Sequence, residues 1–154
     1  MKVSELMTPE VFTCTDRSML AEAVKLMWEH DIGLVPVVSA DKGELVGVVT
    51  DRDACICAFF QGKPLWEIPV ASAVSTRTIT CRPDAEVDEA EEIMSEFQVH
   101  RLPVVDAAGK LVGVISLNDL ARRAAGEADE EFEEEVALTL GAISQPRDST
   151  AQAR

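Results

Sequence analysis

The phrase GELVGVVTDRD at residues 43–53 returns almost unchanged as GKLVGVISLND at residues 109–119. The two phrases stand about 66 positions apart. That period is too long for most solenoid repeats and too short for two ordinary independent domains. The sequence therefore predicts one domain built from two similar halves, and its function depends on what the halves form together.

The likeness continues upstream of these phrases. FTCTDRSMLAEAVKLM (12–27) aligns with ITCRPDAEVDEAEEIM (79–94) at an offset of 67. The offset falls to 66 after the loop SADKGE, which is one residue longer than its counterpart DAAGK. Insertions are tolerated in turns, so this slip supports the alignment.

Each half is predicted to be β-α-β-β-α. Apolar residues at Leu20, Val24 and Met27 keep helical spacing, and two apolar runs joined by a glycine turn indicate paired strands. The expected first strands are 11–14 and 78–81, the first helices about 17–30 and 84–97, the paired strands 34–38 with 45–50 and 102–105 with 111–116, and the second helices begin near Asp51 and Leu117.

Strands as apolar as VPVV and LVGVV favour cover on both faces. The predicted fold class is therefore α/β (α+β), with two pseudo-symmetric β-α-β-β-α repeats packed sheet to sheet, helices outside, and an acidic C-terminal helix. The expected segments are repeat 1 at 3–60, a connector at 61–72, repeat 2 at 73–125, an acidic amphipathic helix at 126–144 and a disordered tail at 145–154.

The composition and the net charge narrow the range of possible functions. The 154 residues are 47% apolar, enough for one compact core, and the net charge of −14 excludes nucleic-acid backbone binding as the main role. Residues 127–154 hold 8 acidic against 2 basic residues and form the most acidic segment. With neither a signal-peptide run nor a bilayer-length apolar stretch, we expect a cytoplasmic protein without a membrane partner.

The four cysteines Cys14, Cys55, Cys57 and Cys81 do not stand at zinc-ligand spacing with a second pair or a histidine cluster. We expect no metal site. Cys14 and Cys81 occupy matching places in the two halves, which favours a shared packing position over redox chemistry.

The two halves, each with a Leu/Val-Pro-Val-Val strand and a Gly-Val-Val/Ile-Thr/Ser-x-x-Asp ending, resemble a tandem pair of CBS domains, or Bateman module, over about residues 3–125. The resemblance implies a stand-alone regulatory unit that holds adenosyl ligands such as AMP, ADP, ATP or S-adenosylmethionine in clefts between the halves. It implies no obligatory cofactor. A P-loop, a nucleophile elbow and an H-E-x-x-H motif are all missing from the sequence, so an enzyme is the least favoured class.

The endings Thr50-x-x-Asp53 and Ser116-x-x-Asp119 match the family motif that holds a ribose. A carboxylate offers two acceptor oxygens to the two adjacent hydroxyl groups of the sugar. The same pattern after a strand is also a helix capping box, and the two roles are compatible.

The stretch His100-Arg101-Leu102-Pro103 resembles the family segment that approaches ligand phosphates, and both side chains can also be plain solvated residues. The first half has Gly33 and Leu34 in these places, so the two clefts are expected to differ in phosphate affinity, unless His100 and Arg101 serve both. Arg52 is a further phosphate candidate, or a partner of Asp51.

The resemblance also implies a base pocket lined by backbone and small side chains. Pro36 and Pro103 are equally typical of edge-strand or bulge positions. The expected base-pocket residues are Thr13, Cys14, Thr15, Val35, Pro36, Thr80, Cys81, Arg82, Leu102 and Pro103.

Two classes of function stay open. One is an adenosyl-nucleotide sensor of energy or metabolite state, expected as a homodimer because its apolar helix faces need cover. The other is a ligand-free adaptor that acts on a protein partner through the acidic C-terminal helix.

Overall fold

The structure is a computed structural model that describes residues 1–75, 77–126 and 129–146. The described helices and strands follow one another along the chain as α1 (Val3–Leu6), β1 (Cys14–Thr15), α2 (Leu20–His30), β2 (Leu34–Val38), β3 (Leu45–Thr50), α3 (Asp51–Gln61), α4 (Val87–Phe97), β4 (Arg101–Val105), β5 (Leu111–Ser116), α5 (Leu117–Gly126) and α6 (Glu130–Ile143). Two short 3-10 helices, Leu65–Glu67 and Val70–Ser72, lie between α3 and α4. The predicted fold class is confirmed.

Each repeat contributes one small sheet. In the first, β1 pairs in parallel with β2, which pairs antiparallel with β3. In the second, β4 pairs antiparallel with β5, and a single parallel bridge between Cys81 and Val104 replaces the edge strand. Both hairpins have the same register irregularity one residue before the strand ends, at Val37/Val38 and Val104/Val105.

The predicted first strands at 11–14 and 78–81 were wrong in position. Thr8 bridges to Val114 in the second repeat, whereas Cys14 pairs with Val37 in the first, so residues 9–13 cross from one sheet to the other. Residues 9–13 therefore run between the two sheets and do not extend the strand β1. Helices α2 and α4 begin three residues later than predicted, and α3 and α5 begin at the predicted residues.

The two repeats exchange their leading segments. Val3 in α1 is fully buried in the core of the second repeat, and its amide donates to the carbonyl of Ala85 at 3.0 Å. Val70 in the connector is fully buried in the core of the first repeat, and its amide donates to the carbonyl of Ser18 at 3.0 Å. Neither core is therefore built from one continuous segment of the chain. The predicted limits of the two repeats and the connector stay a prediction.

The exchange explains the glycine inside each repeated phrase. An added Cβ on Gly47 would stand 2.2 Å from Cγ1 of Val74, and one on Gly113 would stand 2.5 Å from Sδ of Met7. Val74 and Met7 belong to the exchanged segments. The glycines let a crossing segment lie directly on the strand, which a side chain would prevent.

Helix α6 packs on α4 and α5 of the second repeat. Val136 and Ile143 belong to the buried cluster that contains Met94, Leu120 and Ala124. The predicted acidic helix is therefore present, but its apolar side is used within the chain. Of the predicted disordered tail at 145–154, residues 147–154 lie outside the described residues. Among the described residues, every helix is too short or too polar to cross a lipid bilayer.

Candidate functional site

A cavity of about 280 Å³ lies between the two repeats, and we call it the Asp119 cavity. The second repeat and its exchanged segment provide one wall, and the loop after α2 provides the other. The lining residues are Thr8, Glu10, Val11, Phe12, Asp31, Ile32, Leu34, Arg101, Val114, Ser116, Asn118, Asp119 and Arg122. Because both repeats line it, the cavity exists only in the assembled pair.

Both Ser/Thr-x-x-Asp endings form capping boxes. The amide of Ser116 donates to Oδ2 of Asp119 at 2.8 Å, and the amide of Asp119 donates back to Oγ of Ser116 at 3.3 Å. The corresponding distances for Thr50 and Asp53 are 3.0 and 3.2 Å. The structural role considered for these residues is therefore present in both repeats, and the ribose role stays a prediction.

The two aspartates differ in what they face. Asp119 is buried and lines the Asp119 cavity, and its Oδ1 accepts a hydrogen bond from the guanidinium of Arg122. The residue that matches Arg122 in the first repeat is Ile56, which has no donor. Thr50 and Asp53 line neither the Asp119 cavity nor a second cavity beside helices α2 and α3 of the first repeat.

The three residues predicted to bind a phosphate do not lie together. Arg101 lines the Asp119 cavity and reaches toward the first repeat, with Nη1 3.7 Å from the place where a Cβ on Gly33 would stand. His100 is exposed and lines neither cavity, and its carbonyl accepts from the amide of Leu117. Arg52 is exposed and also lies outside both linings, so Arg101 alone among the three reaches the cavity.

An aromatic ring forms part of the cavity wall. Phe12 stacks on His30 with ring centroids 3.5 Å apart and an interplanar angle of 11°. This contact holds the plane of Phe12, and a fixed ring is a stacking surface for a flat base. Its neighbours Val11 and Leu34 add apolar surface.

The charges of the cavity are mixed. Three lining carboxylates, on Glu10, Asp31 and Asp119, oppose the guanidinium groups of Arg101 and Arg122. Such a wall can hold a ribose and one anionic group, and its carboxylates repel additional negative charge.

None of the predicted base-pocket residues lines the Asp119 cavity. Four of them, Cys14, Val35, Cys81 and Leu102, are at most 5% exposed and belong to the two cores. Pro36 and Pro103 are also buried, Thr15 and Thr80 are half-buried, and Thr13 and Arg82 are exposed. A role for this set in base binding stays a prediction.

The two matching cysteines are packing residues. Burial raises the pKa of the Cys14 thiol and of the Cys81 thiol to about 11, so both stay protonated at neutral pH. Cys55 is exposed and Cys57 is half-buried, and the structure describes all four cysteines as free thiols.

Sequence reasoning missed several residues of the cavity. Arg122 could have been found, because it follows Asp119 by three residues on a predicted helix and such pairs face each other. Glu10, Phe12 and Asp31 had no comparable signal. They reach the cavity only through the crossing of residues 9–13 and the loop after α2.

Comparison with known proteins agrees with the repeat structure. The family model named CBS domain matches residues 3–56 and 70–126. The CBS domain-containing protein YhcV of Bacillus subtilis is 36% identical over 119 residues, which cover 77% of this chain and 82% of YhcV.

Two solved structures are similar to the chain as a whole. The CBS domain pair of protein MJ0100, in complex with 5-methylthioadenosine and S-adenosyl-L-methionine, has a TM-score of 0.71 and 28% identity, covering 82% of this chain and 97% of that one. CBSX2 in complex with AMP has a TM-score of 0.71 and 27% identity, covering 81% and 96%.

Proposed function

This chain belongs to the CBS domain family, and from that premise we propose that it is a regulatory module, not an enzyme, that binds an adenosyl ligand in the Asp119 cavity. One observation carries the proposal: Ser116, Asp119 and Arg101 line a single cavity that both repeats build. The ligands in the structures of the MJ0100 pair and of CBSX2 support the ligand class.

Each part of the ligand has a proposed partner. The carboxylate of Asp119 accepts from the ribose hydroxyl groups through Oδ1, because Oδ2 already accepts from the amide and the hydroxyl of Ser116. The base lies between Phe12 and the apolar side chains of Val11 and Leu34. The guanidinium groups of Arg101 and Arg122 face a phosphate or carboxylate of the ligand.

Size and charge narrow the ligand. A volume of about 280 Å³ lies just below the roughly 300–1,000 Å³ found for small-molecule pockets, which favours one nucleoside over a dinucleotide. Glu10 and Asp31 repel further phosphates, in a chain of net charge −14. AMP, 5-methylthioadenosine and S-adenosylmethionine are therefore the proposed ligands, with ATP binding more weakly.

The two clefts are proposed to be unequal. The second repeat has Asp119, Arg122 and Arg101 at one cavity, whereas Thr50 and Asp53 line neither described cavity. One adenosyl site per chain is the expected stoichiometry.

Calorimetric titration of the full chain with AMP, ATP, 5-methylthioadenosine and S-adenosylmethionine tests the proposal, using Asp119→Ala and Asp53→Ala as a matched pair. Both substitutions remove a capping box, at about 1 kcal/mol of stability. Only Asp119→Ala is expected to weaken binding, by about 10-fold or more, because charge-assisted hydrogen bonds contribute roughly 1.5–3 kcal/mol.

Equal loss of binding in both variants would contradict a site at Asp119 alone. A chain that binds none of the four compounds would contradict the sensor function. That second result would favour the adaptor, which has one supporting observation: Leu138 and Leu140 on α6 are 67% and 49% exposed among acidic neighbours. Removing the whole segment would also strip Val136 and Ile143 from the second core, so deletion is a poor test of the adaptor.

The proposed signal passes through a dimer or a protein partner. Ligand binding shifts the arrangement of the two repeats only by its difference in affinity for two states. Arg101 is the proposed reporter, because it belongs to the second repeat and reaches Gly33 of the first.

A further inference from the structure

Helix α6 covers the face of the second repeat that α4 and α5 form, and we call this contact the α6 cover. Three residues of that face, Met94, Leu120 and Ala124, are at most 7% exposed. Val136 and Ile143 of α6 belong to the same buried cluster. The family model matches the chain up to residue 126, so the α6 cover lies outside the part of the chain that the family shares.

A carboxyl group is buried under this cover. Glu91 on α4 is 5% exposed, and its Oε1 accepts a hydrogen bond at 3.3 Å from the hydroxyl of Thr139 on α6, which is itself 6% exposed. The matching residue of the first repeat is Val24. A valine is sufficient for packing, whereas a buried carboxyl group is costly to ionise unless a cation lies beside it.

The charges around Glu91 oppose its ionisation. Side-chain oxygens of Asp88 on α4, of Glu91 and of Glu135 on α6 lie within 4.8 Å of one another. Among the described residues, Asp88 and Glu135 are the charged groups that act on Glu91, and α5 adds none. Burial raises the pKa of Glu135 as well, and Asp88, Glu131 and Asp129 add in the same direction. The contact between α4 and α6 at this point therefore consists of like charges.

The position of α6 determines how tightly Glu91 binds a proton. Burial, together with Glu135 and Asp88, raises the pKa of Glu91 from its ordinary 4.5 to about 7, against the hydrogen bond from Thr139. Once α6 leaves the surface, water reaches Glu91 and its pKa returns toward 4.5. Closing is therefore favoured below about pH 4.5, and this advantage is lost as the pH rises to about 7.

The C-terminal end of α6 is attached by contacts that do not titrate. Nε2 of Gln98, at the end of α4, donates to the carbonyl of Gln145 at 3.0 Å and to that of Ala142 at 3.4 Å. The carboxylates that repel one another lie nearer the other end, at Asp88 and Glu135. Ionisation therefore weakens the N-terminal part of the contact and leaves the C-terminal part in place.

We propose that α6 is a pH-sensitive cover of the second repeat, which lies closed on α4 and α5 while Glu91 is protonated and opens from its N-terminal end when Glu91 ionises. Opening exposes the apolar face that contains Met94 and Leu120. Helix α5 also carries Asp119 and Arg122 to the Asp119 cavity, so the cover and the candidate ligand site share one helix. The opening itself involves no ligand and does not rest on the proposed function.

Hydrogen exchange of the full chain without ligand, measured by mass spectrometry at pH 5 and pH 8, tests the proposal. Labelling times are scaled for the intrinsic pH dependence of amide exchange. A helix of 14 residues is marginal in water once it leaves the surface, so opening appears as faster exchange of the α6 amides. The pKa values of about 7 and 4.5 predict an increase on the order of 70-fold from pH 5 to pH 8.

Glu91→Gln and Glu92→Gln form a matched pair, because each removes one carboxylate from α4 and only Glu91 is buried. A glutamine at position 91 keeps an acceptor for Thr139, so the closed cover is preserved. Glu92→Gln should show the same increase as the unmodified chain. In Glu91→Gln the increase should largely vanish, because the group that titrates is gone.

Thr139→Val distinguishes titration from loose packing. The hydroxyl of Thr139 lowers the pKa of Glu91, so its removal should enlarge the difference in α6 exchange between pH 5 and pH 8. A purely structural loosening would speed exchange equally at both pH values and leave their ratio unchanged.

Three results would overturn the proposal. The first is α6 exchange that is equally fast at both pH values in the unmodified chain, and the second is an increase that Glu91→Gln keeps in full. The third is an equal increase in the amides of β2 and β3, because the whole chain would then unfold and α6 would not open by itself.

Discussion

The guanidinium of Arg122 donates a hydrogen bond to Oδ1 of Asp119, the carboxylate oxygen that its capping box with Ser116 leaves available. The side chain of Arg122 is 71% exposed, whereas that of Asp119 is 8% exposed. An exposed cation therefore covers a buried acceptor at the wall of the cavity. A ribose and Arg122 would compete for this oxygen, while a phosphate would attract the same arginine.

From this contact we expect Arg122→Ala to change the ligand preference in one direction. Adenosine should bind as well or better, because its ribose no longer competes with Arg122. AMP should lose affinity relative to adenosine by about 10-fold, the value of one charge-assisted contact. Parallel calorimetric titrations with the two compounds give the ratio, and Arg123→Ala on the same helix is the control. An unchanged ratio would show that Arg122 does not reach the phosphate.

The pH dependence of stability should depend on Glu91. Burial between α4 and α6 raises the pKa of Glu91 to about 7, against the hydrogen bond from Thr139, with Glu135 and Asp88 adding in the same direction. The three carboxylates lie within 4.8 Å of one another. A raised pKa means that the folded state binds the proton more tightly than the unfolded chain does. The resulting stabilisation of the fold is present below about pH 4.5 and is lost as the pH rises to about 7.

Replacing Glu91 with Gln removes this loss. Glu91→Gln and the unmodified chain should differ little at pH 4.5, and at pH 8 the variant should be more stable by about 2–3 kcal/mol. Urea unfolding at several pH values measures the difference, with the exposed Glu92→Gln as the control. If the stabilities of Glu91→Gln and the unmodified chain stay parallel across this range, Glu91 is ionised in the folded state.

Three glycine-to-alanine substitutions should distinguish glycines that another segment approaches closely from a helix glycine with open space around it. A Cβ on Gly47 meets Cγ1 of Val74 at 2.2 Å and a backbone oxygen at 2.8 Å, so Gly47→Ala should cost about 2–3 kcal/mol. Gly113→Ala should cost roughly half of that, because its nearest neighbour is the flexible end of Met7. Gly141→Ala in α6 has open space and should stabilise by about 0.5–1 kcal/mol. Urea unfolding of the three variants decides the order, and a reversed order would contradict the exchanged segments.

Thiol modification should divide the cysteines into two classes. Cys14 and Cys81 are buried with pKa values of about 11, so they should react with an aromatic disulfide only after unfolding. Cys55 is exposed, so it should react in the folded chain. Cys55→Ser identifies its phase in the time course. A Cys55 that reacts only after unfolding, together with Cys14 and Cys81, would contradict this division.

The repeated phrases were sufficient to predict the family, the order of the helices and strands, and the capping boxes. The patterns that indicate these features involve residues within about five positions of one another. Asp51 and Leu117 begin their helices as expected, since a Thr or Ser followed three residues later by Asp satisfies the helix start locally. The predicted positions of the first strands were wrong because residues 9–13 cross between the two sheets. This crossing depends on long-range packing and leaves no local pattern in the sequence.

The sequence alone was enough to predict two halves, a capped helix with an aspartate at the end of each half, and an Arg101 without a counterpart in the first half. The packing of distant segments determines which aspartate lines a cavity, that Phe12 and Arg122 line it too, and that α6 covers the second repeat. Helix starts and apolar periodicity depend on near neighbours in the sequence, whereas cavities and covered faces arise where distant segments pack against each other.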